Sequence, residues 1–85
     1  MNENIERQVM QILEEMRTNI IQSGKAKNLA WVNSESSITA IFESHLYLYG
    51  SQFITEIVNR LGINRELAES LFGKAKAAIY DKYSN

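Results

Sequence analysis

Between Ser34 and Leu61 the side of the chain that has to be buried changes direction, and one straight helix cannot bury both halves. At about 100° per residue, Ile38, Phe42, His45, Leu46 and Tyr49 share one side, with Ile41 and Leu48 at its margin. Thr39, Glu43 and Ser44 lie opposite. Beyond Gly50 the apolar residues are Phe53, Ile54, Ile57, Val58 and Leu61, and their stripe is rotated by roughly a third of a turn. Glu56 and Arg60 now occupy the formerly apolar side. This pattern predicts a break at Tyr49-Gly50-Ser51, with Gly50 taking the left-handed conformation of a helix end and Ser51 capping the next helix. A β-hairpin turning at Gly50-Ser51 is the competing reading, since Gln52 to Val58 is rich in β-branched and aromatic residues. Helical spacing continues on both sides of the junction and favours helix.

Amphipathic segments flank this stretch. Residues 2–23 place Ile5, Val9, Ile12, Leu13, Met16 and Ile20 on one side, with Glu3, Glu6, Arg7, Glu14 and Arg17 covering the other. The narrow stripe suits packing along another helix, within the domain or as a short coiled coil, and Gly24 is the expected terminator. Asn28 to Asn33 reads as a connection that plugs the core with Trp31, before Asn33 and Ser34 cap the following helix. After the turn Leu61-Gly62-Ile63, Asn64 caps a last helix whose broad stripe contains Leu67, Ala68, Leu71, Phe72, Ala75, Ala78, Ile79 and Tyr83. Gly73 falls within it at a cost of up to about 1 kcal/mol relative to Ala, without interrupting the periodicity. The expected architecture is all-α: a compact bundle of four helices, about 2–23, 34–49, 51–61 and 64–83, in a single domain over residues 1–85.

A chain of 85 residues buries only about 60 to 65% of the surface its unfolded form exposes. There is no Cys to add disulfides or thiolate metal sites, so association with another chain is the expected supplement to a thin core. The formal net charge is −1, with no general electrostatic pull toward nucleic acid. No apolar run approaches the roughly 18 residues of a membrane span, and Met1-Asn2-Glu3-Asn4 does not read as a signal peptide, so a cytoplasmic protein is expected.

The residues that carry chemistry are sparse. His45, the only histidine, lies on the apolar side of its helix and reads as a buried, hydrogen-bonded side chain. Glu14 and Glu15 diverge around their helix and read as solvated charges, not as an acid and base pair. The two Gly-Lys-Ala-Lys sequences, at Gly24 and Gly73, lack the upstream Gly and the following Ser or Thr of a phosphate loop. No catalytic residue, metal ligand or cofactor is expected, and the protein reads as non-enzymatic.

Ile57, Leu61, Gly62, Ile63 and Leu71, within Ile54 to Gly73, form two helices joined by a tight glycine turn. This segment resembles the helix-turn-helix of DNA-binding regulators, over about a quarter of the chain. Val58 stands where that family usually has alanine. The resemblance implies a dimeric transcriptional regulator whose second helix meets DNA through Asn64, Arg65 and Ser70, with Lys74 and Lys76 reaching the phosphates. Glu66 and Glu69 would face the same phosphate-lined groove, which favours cations. The same pattern serves any helical hairpin used only for packing.

Tyr47 points away from the apolar side of its helix and Tyr80 lies off the main stripe of the last one. With Trp31 they are the candidate protein-binding residues, because aromatic side chains are enriched where partners dock. The expected function is binding to another protein, and to further copies of itself as a homodimer or larger assembly. DNA regulation is the alternative.

Overall fold

Three α-helices and one short 3-10 turn make up the chain in the computed structural model, which describes residues 2–84. Met1 and Asn85, the ends of the expected domain, lie outside the described residues. Helix α1 spans Asn2–Ala26, the 3-10 turn Ala30–Asn33, α2 Glu35–Leu61 and α3 Arg65–Tyr83. The molecule measures 39 × 24 × 18 Å. Its long dimension is that of its helices, since 27 residues at a rise of 1.5 Å reach about 40 Å.

The four-helix expectation is met in part. The interruption expected at Tyr49-Gly50-Ser51 is present at Tyr49, whose torsions (φ −115°, ψ 15°) leave the helical range, but as a kink within α2 and not as a loop between two separate helices. Gly50 is not in the left-handed region, and Ser51 is an interior residue whose carbonyl accepts a bond from the Thr55 hydroxyl. Ending a helix here would strand up to four carbonyls on one side and four amides on the other. A single distorted residue redirects the buried face while most of that ladder survives.

The end of α1 is corrected for a related reason. The helix continues past Gly24, and the left-handed residue is Asn28, at φ 55°. Gly24 is buried because the 3-10 turn lies on it: a Cβ there would stand 2.5 Å from Val32 Cγ1 and 2.6 Å from Trp31 Cζ2. The glycine allows a close approach and does not stop the helix.

Other terminators follow the sequence. The Ser34 hydroxyl accepts from the Ser37 amide at 3.4 Å and the Asn64 side-chain oxygen from the Leu67 amide at 2.8 Å, as N-caps do. Gly62, at φ 65°, ends α2 by donating its amide to the Val58 carbonyl. Gly73 lies inside α3 with open space around it.

Helix α3 packs against both other helices. Ala68 and Ala75 are buried and keep its surface low enough for both neighbours to come close, while Ala78 at the stripe's edge is exposed. The core joins Val9, Ile12 and Leu13 of α1, Phe42, Leu46 and Ile57 of α2, and Leu71, Phe72 and Ile79 of α3. The α1 stripe is thus used inside the domain.

Candidate binding surface

Two aromatic rings of α3 meet α2 at two points, Gly50 and Phe42. The Phe72 ring lies beside Gly50, where a Cβ would meet Cε2 at 3.8 Å. The Tyr80 ring stands edge-on to Phe42, with centroids 6.5 Å apart. Lys76 lies midway between these two rings on α3, as Leu46 lies midway between Phe42 and Gly50 on α2.

Next to this buried seam runs an open groove of about 560 Å³ between α2 and α3. Ala40 and Ser44 form part of its floor, Glu43 and Lys76 carry its charges, and Tyr47, Leu48 and Tyr80 supply large apolar surface. Tyr47 is 88% exposed and Leu48 69% exposed, and Tyr49 at the bend is 43% exposed. Burial pushes the Tyr80 phenol above its ordinary value, and the negative charge of Glu43 adds to that, so the hydroxyl stays protonated at neutral pH and can donate.

Of the three aromatic candidates, the structure brings Tyr47 and Tyr80 together and leaves Trp31 elsewhere. Trp31 is half-buried in a second groove, of about 470 Å³, with Ile20, Ile41 and His45. His45 is half-buried there, and its Nδ1 lies 3.0 Å from the Ile41 carbonyl. A carbonyl only accepts, so Nδ1 carries a proton.

Sequence reasoning missed Leu48, Glu43 and Lys76 as parts of the surface. The helical wheel put Leu48 at the margin of the buried stripe and Glu43 and Ser44 opposite it. The available signal was that Ala40, Ser44 and Leu48 recur every four residues and so share one edge.

The residues of the DNA alternative are mostly held by the fold. Arg65 donates from Nη1 to the Thr55 hydroxyl at 3.0 Å and from Nη2 to the Ser51 hydroxyl at 3.2 Å, and its Nε pairs with Glu69 at 3.4 Å. Asn64 is the α3 cap, Lys74 pairs with Glu6 at 3.5 Å, and Lys76 lies 5.4 Å from the centre of the Phe72 ring. Ser70 is exposed.

Among the described residues no helix is long and apolar enough to cross a membrane, and no group of three or more His, Asp or Glu is placed to hold a metal ion. Neither the protein-family models, nor the curated proteins, nor the solved structures contain a match to this chain.

Proposed function

We propose that this is a non-catalytic protein that works by binding another protein, through the groove where Tyr47 and Leu48 of α2 meet Tyr80 of α3. The observation that carries this reading is the exposure of two large side chains in succession, Tyr47 and Leu48, beside a groove with one acidic and one basic residue. Single exposed apolar residues are ordinary, whereas a contiguous patch rimmed by charge is the form of a docking site. Tyrosine suits such a site because it supplies area at little cost in side-chain entropy.

The regulator reading receives less support, because Arg65, the residue best suited to read guanine, spends its guanidinium on Thr55, Ser51 and Glu69. The test is capture of partners from the native host on immobilised wild type and on Leu48→Asp, alongside duplex binding at low salt. A partner held by wild type and released by Leu48→Asp supports the reading. Salt-sensitive duplex binding, weakened by Arg65→Ala, overturns it in favour of the regulator.

A further inference from the structure

We infer that the occupant of this groove is a second copy of the chain, laid antiparallel with a two-fold axis near Ser44. The inference rests on the binding role assigned to the groove and names its partner.

A two-fold interface must be self-complementary, each patch meeting its own copy. With the axis at Ser44, Leu48 of one protomer lies opposite Ala40 of the other, and Ala40 opposite Leu48. A large exposed side chain thus meets a small exposed one twice, and two serines meet at the centre.

The charges follow the same symmetry. Glu43 is one residue from the axis, and Lys76, midway between the two rings as Leu46 is on α2, falls to the other side. Rotation about the axis brings Lys76 of one protomer to the side where Glu43 of the other lies, and the reverse. Both residues lie on the α3 side of α2, so the two grooves meet face to face with α3 beside α3.

Among the described residues, Glu43 and Lys76 belong to the charged side chains that form no ion pair within the chain. Lys82 with Glu14, Lys74 with Glu6, Arg60 with Glu15 and Glu56, and Arg65 with Glu69 all form ion pairs. An acid and a base on opposite walls of one apolar groove, neither in an ion pair of its own chain although Lys76 stacks on Phe72, are complementary to the same groove turned over.

The test is sedimentation of the full chain across a concentration series, with charge reversals at both positions. Wild type dimerises, and Glu43→Lys or Lys76→Glu, which each create two like-charged contacts, weaken the dimer by about tenfold or more. The double reversal restores it. Mixing the two single variants gives a heterodimer that neither forms with itself, because both cross-contacts are then attractive. Circular dichroism of each single variant confirms folding, and recovery in the mixture confirms it independently.

A wild type that stays monomeric at about 100 μM overturns the self-pairing. The binding role then stands or falls separately, on whether Leu48→Asp releases a different protein. A dimer indifferent to Leu48→Asp and to both reversals places the interface elsewhere and also overturns the inference.

Discussion

The two halves of α2 have similar apolar content and use it differently. In the second half Ile57 is buried, Phe53, Ile54, Val58 and Leu61 pack against the core, and Thr55, Glu56, Asn59 and Arg60 are exposed. One stripe meets one need. In the first half Ile38, Phe42 and Leu46 already fill the inward side, yet Tyr47 and Leu48 stand outside it in solvent. The second half is sized to its core, and the first carries apolar surface beyond what three helices can cover. That surplus is why the binding role is assigned to the first half.

Replacing the inward row should have the largest effect. Phe42→Ala is expected to lower the unfolding free energy by about 3–5 kcal/mol, a large share of what a domain this small possesses. Chemical denaturation of the dilute chain measures it, and a loss below 1 kcal/mol would remove the distinction between the two rows. The bend gives the next contrast. Gly62→Ala forces a side chain into the left-handed region and should cost about 1–2 kcal/mol. Gly50→Ala, in helical backbone with ordinary contact to Phe72, should instead stabilise by about 0.5–1 kcal/mol. A loss at Gly50 would mean that the helix ends there after all.

The end of α3, one turn beyond Tyr80, shows what a surface without surplus looks like. Arg17, buried and ion-paired with Glu35, lies 3.5 Å from the centre of the Tyr83 ring. The Tyr83 hydroxyl donates to Glu14 Oε2 at 2.7 Å, and Lys82 donates to Oε1 at 2.9 Å. Glu14 is therefore a clasp between α1 and α3, where the sequence suggested a solvated charge. Burial alone would raise its pKa, but the bonds from Lys82 and Tyr83, with the charges of Lys82 and Arg17, outweigh that and hold it below the ordinary 4.5. A depressed carboxylate contributes stability that is present above the ordinary value and lost as pH falls through the folded one. Glu14→Gln should cost about 1 kcal/mol at neutral pH, chiefly through the Tyr83 bond, and the gap from wild type should close below pH 4.5. Urea titrations at several pH values check it, and a gap independent of pH would remove the clasp.

The smallest effect belongs to the outward row. Leu48→Ser should change the stability of the dilute chain by less than about 0.5 kcal/mol. It should also abolish the dependence of the thermal midpoint on protein concentration that a self-associating wild type displays. A larger loss on dilution would mean that Leu48 is part of the core.

Spacing alone determined the helical class, the caps at Ser34 and Asn64, the stop at Gly62 and the inward rows of α1 and α3, because each depends on residues within one or two turns. Tertiary packing decided what the other two expected breaks became. Gly24 and Gly50 permit a helix end without requiring one: Trp31 and Val32 rest on the first, which stays inside α1, and the second directly follows the kink at Tyr49 inside α2. The same reason governs the surface. A helical wheel gives directions around one axis, and only the placement of α3 determines that Tyr47 and Tyr80 share a groove while Trp31 lies in another.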